Sequence, residues 1–133
     1  MKKIAPLFFV ITTLFGCASE NAPTKTAPQV STSTISNITL NSAISGGTIA
    51  SDGGADITSK GVVWNTTASP TISSNTKTIE GTGTGTFSSS LTNLTPSTTY
   101  YLRAYATNSS GTGYGSEISF TTNSIVLPVL STT

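Results

Sequence analysis

The run from Leu91 to Thr122, LTNLTPSTTYYLRAYATNSSGTGYGSEISFTT, constrains the fold more than any other part of the chain. Leu91, Leu94, Pro96 and Tyr100 follow the spacing Leu-x-x-Leu-x-Pro-x-x-x-Tyr. That spacing seats two leucines at the base of a corner, fixes φ at the proline and lets a tyrosine hydroxyl reach backbone upstream. From Tyr100 onward the pattern has period two, which predicts Tyr100, Leu102, Ala104 and Ala106 inward and Tyr101, Arg103, Tyr105 and Thr107 outward. The small inward alanines leave space for Trp64 on a neighbouring strand, because a dense core alternates large with small. After the turn Asn108-Ser109-Ser110-Gly111, a last strand is predicted with Ile118 and Phe120 inward.

The preceding residues break into short alternating runs divided by Gly, Asn, Asp and Pro clusters, as in an antiparallel sandwich. Val30 to Ile35 reads as an edge strand, and Thr39 to Ala50 as a second strand loosened at Gly46-Gly47 by a bulge or a close backbone approach. Ser51 to Asp56 turns the chain, and Ile57 to Asn65 makes a third strand around Val62-Val63-Trp64. Thr71 to Ile79 is a weaker stretch expected at an edge. Gly81 to Gly85 leads into a strand on which Phe87, Ser89 and Leu91 share a face. Composition agrees: Ser and Thr make up about a third of the chain and charged residues only 8%, which favours pleated surfaces over helices. The prediction is an all-β, immunoglobulin-like antiparallel sandwich of about seven strands over residues 30–123.

The stretch Leu94-Thr95-Pro96-Ser97-Thr98-Thr99-Tyr100 through Ala106-Thr107-Asn108 resembles the tyrosine-corner region of fibronectin type III domains. Ser45-Gly46-Gly47-Thr48-Ile49, Lys60-Gly61-Val62-Val63-Trp64 and Tyr101-Leu102-Arg103-Ala104-Tyr105-Ala106 resemble a bacterial branch of that superfamily, carried in repeated copies on exported proteins. The resemblance covers Val30 to Thr122. It implies a spacing or binding module and supplies no catalytic residues. No Arg-Gly-Asp tripeptide is present, so integrin-type adhesion is not implied.

The first 16 residues read as a secretory leader: Lys2 and Lys3, then an apolar run from Ile4 to Phe15, too short for a spanning helix of about 20 residues. Leu14-Phe15-Gly16-Cys17 resembles the bacterial lipobox. That resemblance implies cleavage before Cys17 and acylation of Cys17, and several acyl chains on one residue anchor stably. Ala18 and Ser19 after the cysteine imply the outer membrane, on its periplasmic or its outer side. Residues 17–29 are polar and proline-bearing and read as a flexible tether. Residues 124–133 form a tail in which Ile125-Val126-Leu127 is an apolar run in need of a partner or a sheet edge. Pro128-Val129-Leu130-Ser131-Thr132-Thr133 also resembles Pro28-Gln29-Val30-Ser31-Thr32-Ser33, as the start of a further repeat would.

Composition narrows the chemistry. One cysteine and no histidine exclude an internal disulfide, a Cys/His metal site and an imidazole-based triad. Without the leader, four basic residues face five acidic ones, a balance of −1 that does not attract nucleic acid. Asp52 and Asp56 fall short of the six to eight oxygens that calcium takes and fit turn chemistry. The glycines from Gly81 to Gly85 lack the lysine and helix of a phosphate loop. Glu80, Glu117 and the loop aspartates are the available acid/base groups, with no cleft evident to hold a pair of them across a substrate. No catalytic, metal-binding or cofactor-binding residues are assigned.

For a ligand or partner surface the candidates are Tyr101, Arg103 and Tyr105, an outward stripe, and Tyr114 between two glycines. Cross-strand packing on a solvated sheet face is the favoured reading of the stripe. The expected function is a non-catalytic envelope lipoprotein, membrane-bound through Cys17, whose module mediates adhesion, binds protein or polysaccharide, or acts as a spacer. The alternative is a carbohydrate-associated accessory module or a piece of a larger repeat-array protein or enzyme.

Overall fold

A computed structural model describes residues 22–132. The leader, Cys17 and the start of the tether lie outside them. Seven strands follow in order: β1 (Gln29–Thr32), β2 (Ala43–Ser51), β3 (Ser59–Asn65), β4 (Gly85–Leu91), β5 (Thr99–Asn108), β6 (Gly111–Tyr114) and β7 (Ile118–Thr121). All pairings are antiparallel. One sheet has the order β1-β2-β4, and the other has β3-β5-β6 with β7 also on β5. There is no helix among the described residues.

β5 is the hub, and its sequence explains why. Its two Thr and three Tyr suit a pleated strand, and its ten residues are long enough to pair β3 on one edge and both β6 and β7 on the other. The period-two expectation holds on its inner face, where Tyr100, Leu102, Ala104 and Ala106 are all buried in the core. Val62 and Trp64 of β3 and Phe120 of β7 join them from the same sheet, and Ala43, Ile49, Phe87 and Leu91 from the other. Full burial of side chains such as Leu91 and Leu102 contributes about 1.5–3 kcal/mol each.

The corner forms as its spacing predicts. The Tyr100 hydroxyl accepts the amide of Thr95, five residues upstream, at 2.9 Å. Its ring stacks on Phe120 with centroids 5.8 Å apart. Buried Thr122 closes the corner from the far side, its hydroxyl donating to Thr95 O at 2.6 Å and accepting the Thr98 amide at 3.0 Å.

Three expectations change in detail. Gly46-Gly47 marks a close approach with no bulge, since the β2–β4 register runs unbroken from Ala43 to Ile49. A Cβ on Gly47 would stand 2.6 Å from the Ala104 Cβ of the opposite sheet. The room beside that alanine therefore lets the two sheets approach, where the sequence suggested a berth for Trp64. The last strand is split, with Tyr114 opposite Tyr105 and Ile118 opposite Leu102, so three residues of one strand span two of the other. The stretch 71–79 does lie at an edge, but as a ribbon with one isolated bridge, Val63 to Lys77. Its alternate amides and carbonyls bond β3: Trp64 N to Thr76 O at 3.1 Å, Thr78 N to Val62 O at 2.9 Å and Glu80 N to Lys60 O at 2.7 Å.

Candidate interaction face

The outer face of the β3-β5-β6 sheet carries every residue singled out as a possible ligand surface. The register sets Tyr101 opposite Asn65 and Ser119, Arg103 opposite Val63, and Tyr105 opposite Gly61 and Tyr114. Opposed residues in an antiparallel pair share a face, so the two tyrosines, the arginine and Tyr114 form one cluster. The outward direction predicted for the stripe is therefore correct.

Its accessibility is not. Tyr105 is only 2% exposed, because the ribbon 76–80 lies over it. Its hydroxyl donates to the Thr78 carbonyl at 2.7 Å. This contact depends on Gly61: a Cβ there would overlap the Thr78 carbonyl oxygen, so only glycine lets the ribbon pass so close to β3. Tyr105 is removed from the candidate ligand surface.

Arg103 and Tyr114 are likewise engaged by their own chain. The guanidinium carbon sits 4.1 Å from the centre of the Tyr114 ring, within cation–π range. Nε and Nη2 of Arg103 both donate to the carbonyl of buried Pro70, at 3.0 and 2.6 Å. The Tyr114 hydroxyl accepts the Ile72 amide at 2.9 Å, and the Glu117 carboxylate accepts the Ser69 amide. Four side chains from β5, β6 and the strand break thus hold the segment 69–78 against the sheet. Tyr101 is different: it is half-buried and makes no side-chain hydrogen bond among the described residues.

Two structurally important residues, Lys60 and Asn108, are not among the sequence candidates. Lys60 is 8% exposed, its Nζ donating to Gly83 O at 3.1 Å and lying 5.7 Å from the Phe87 ring centre. Its inward parity with Val62 and Trp64 was the available cue. Buried Asn108 donates to Thr26 O at 2.7 Å and Asp52 O at 2.6 Å while its Oδ1 accepts the amides of Ser110 and Gly111. It ties the tether's end to two loops.

The end of the sandwich near Asn108 has an open hollow of about 680 Å³ lined by Asp52, Asp56, Ile57, Thr58 and the 82–84 loop. Asp52 Oδ1 accepts the Gly54 amide at 2.8 Å, the turn chemistry expected of it. No group of three His, Cys, Asp or Glu side chains comes together among the described residues. The two carboxylates that line the hollow, Asp52 and Asp56, fall short of the six to eight oxygens that calcium takes.

No protein-family model matches the chain, and no curated protein does. Solved structures do. The sensor domain of the anti-sigma factor RsgI4 in Pseudobacteroides cellulosolvens is similar with a TM-score of 0.54 at 17% identity, over 80% of this chain and 100% of that one. The sixth fibronectin type III domain of human fibronectin type III domain containing protein 3 gives 0.51 at 21%, over 87% and 100%. A fourth human FNIII domain gives 0.56 at 17%, over 87% and 96%. At these identities the likeness is one of fold: the chain carries a fibronectin type III-like β-sandwich.

Proposed function

We propose that the chain is a non-catalytic module of the bacterial envelope, anchored in the outer membrane through lipidated Cys17 and serving to space or to join proteins there. One observation supports this most. The face where aromatic rings and a guanidinium cluster is occupied by the chain's own segment 69–78, which engages the hydroxyls of Tyr105 and Tyr114 and the Arg103 fork. A face already filled from within lends rigidity, the property a spacer needs, and leaves partners to be met elsewhere. Thr26 is already bonded to Gly53 and Asn108, so the free tether is residues 17–25, which spans at most about 30 Å at 3.3–3.6 Å per residue and sets the reach of the module from the lipid surface.

Cell fractionation tests the anchor: Cys17→Ser is expected to move the protein from the membrane to the soluble fraction, and unchanged membrane association overturns it. A glycan-binding reading rests on Tyr101, whose half-exposed ring is the stacking surface left on this face. Retention on insoluble polysaccharide that falls on Tyr101→Ala favours that reading. Equal retention of both proteins removes it.

A further inference from the structure

Residues 124–132 of the tail are all exposed, with Val129 at 93% and Leu130 at 89%. Uncovered aliphatic side chains in an unpaired segment mark a contact that the isolated domain leaves unmade. What would cover them is indicated by the structural role of the tail's sequence twin.

Pro128-Val129-Leu130-Ser131-Thr132 matches Pro28-Gln29-Val30-Ser31-Thr32, and the second set contains β1. In the fold, Pro28 is buried, Val30 packs on the core, and the Thr32 hydroxyl accepts the Ala104 amide at 3.1 Å, while Gln29 and Ser31 face solvent. The tail repeats Pro, Ser and Thr at the corresponding places and puts the larger Leu130 where Val30 sits. Every side chain that β1 turns toward the protein thus has an equivalent in the tail. β1 itself is a four-residue edge strand whose one strand partner is β2, with a register break at its first residue, and the Thr32–Ala104 bond adds a single tie to the other sheet.

We infer that residues 128–132 act as a first strand for a second copy of this chain, pairing with β2 of that copy in place of its own β1. The tail cannot do this within its own domain. Thr122 and Asn123 are fixed at the Thr98 end of β5, by Thr122 N to Thr98 O and Asn123 N to Thr39 O. β1 begins at the other end: Thr26 is bonded to Asn108 and Pro28 lies against Gly113, which is opposite Ala106. Thr98 to Ala106 spans about 26 Å of strand at 3.3 Å per residue, whereas the five steps from Asn123 to Pro128 reach at most about 18 Å. Exchange therefore joins the tail end of one copy to the β1 end of the next, a head-to-tail contact that propagates unless it closes into a ring.

Each tail bound releases one β1, so most pairing is conserved. The balance is tipped by the larger Leu130 and by covering the exposed tail. The tethered β1 competes at an effective concentration of about 1 mM, so association appears at high protein concentration or on a crowded surface. This deepens the protein-joining part of the proposed function by naming its partner. The test is run on soluble Cys17→Ser protein, so failure leaves the anchoring reading untouched.

Ser31 pairs with Thr48 in the β1–β2 register, so Ser131 is expected beside Thr48 of the next copy. Full-length Cys17→Ser protein carrying Thr48→Cys and Ser131→Cys is oxidised at about 1 mM. A ladder of intermolecular disulfides that is lost when Leu130→Asp is added supports strand exchange. Monomer alone, or a ladder unaffected by Leu130→Asp, overturns it. Sedimentation supplies a second measure: mass should rise with concentration for Cys17→Ser protein and remain monomeric when Ser31→Cys and Thr48→Cys lock β1 in place. Equal mass for the open and locked forms refutes the inference independently of the ladder.

Discussion

Tyr105 donates its hydroxyl to the carbonyl of Thr78 at 2.7 Å, across the place where Gly61 carries no side chain. The same threonine accepts the Val62 amide on its Oγ1 at 3.0 Å and meets the Ser89 hydroxyl at 2.9 Å. Val62 and Tyr105 belong to one sheet and Ser89 to the other. Thr78 therefore ties the two sheets together along the margin where β3 and β4 would otherwise leave the sandwich open.

Removing the hydroxyl isolates that link. In Tyr105→Phe the ring still fills its site, but the Thr78 carbonyl loses a partner in a place that water reaches poorly. An unsatisfied buried acceptor costs about 1–3 kcal/mol, and a domain of this size loses roughly 4–8 °C in Tm per kcal/mol. Thermal unfolding followed by circular dichroism measures it. A Tm unchanged within error would mean that the bond contributes nothing.

Gly61→Ala acts on the same crossing by sterics. The new Cβ meets the Thr78 carbonyl, backbone that cannot rotate away, so the ribbon must leave β3 or the sheet must bend. Overpacking of this kind costs about 1–3 kcal/mol. Hydrogen exchange gives the more specific readout: the amides of Thr78 and Glu80, bonded to Val62 and Lys60, should lose protection while Leu102 keeps its own. Uniform loss across the domain would contradict a local displacement.

The inner face of β5 was legible because alternation over Tyr100, Leu102, Ala104 and Ala106 reflects burial directly, and the corner because its residues are neighbours in sequence. The outer face obeyed the same parity and still misled. Tyr105 points where period two places it, yet the segment that covers it comes from 27 residues upstream and has no pattern of its own. The cover was foreshadowed only by Gly61, a glycine in the middle of an apolar strand, and by Pro70. Long-range coverage of this sort depends on which backbone lies over a face, a property that side-chain alternation does not encode. The split of the last strand escaped for a related reason: Gly113, Gly115 and Ser116 carry no alternation from which a register could be read.

Arg103 should not tolerate lysine. Its fork gives two N–H groups to one carbonyl while its plane covers the Tyr114 ring, and an ammonium cannot do both. Arg103→Lys is expected to lose about 1–2 kcal/mol and to speed proteolytic cleavage within residues 69–75, with Arg103→Ala losing more. Lysine behaving as the wild type would show that charge alone suffices at this position.

Tyr101 and Tyr105 must be separated in any test of ligand binding. Replacing Tyr105 by alanine empties a buried aromatic site, at about 3–5 kcal/mol, so lost binding in a double variant would report lost structure. Tyr101 packs beside Asn65 and Ser119 at the surface, and cross-strand pairs of this kind contribute about 0.2–1 kcal/mol. Tyr101→Ala should therefore keep the cooperative unfolding of the parent, with a small fall in Tm, whereas Tyr105→Ala should unfold far earlier. If Tyr101→Ala destabilises the domain as much as Tyr105→Ala, then Tyr101 too is committed to the fold, and this face offers no side chain to a ligand.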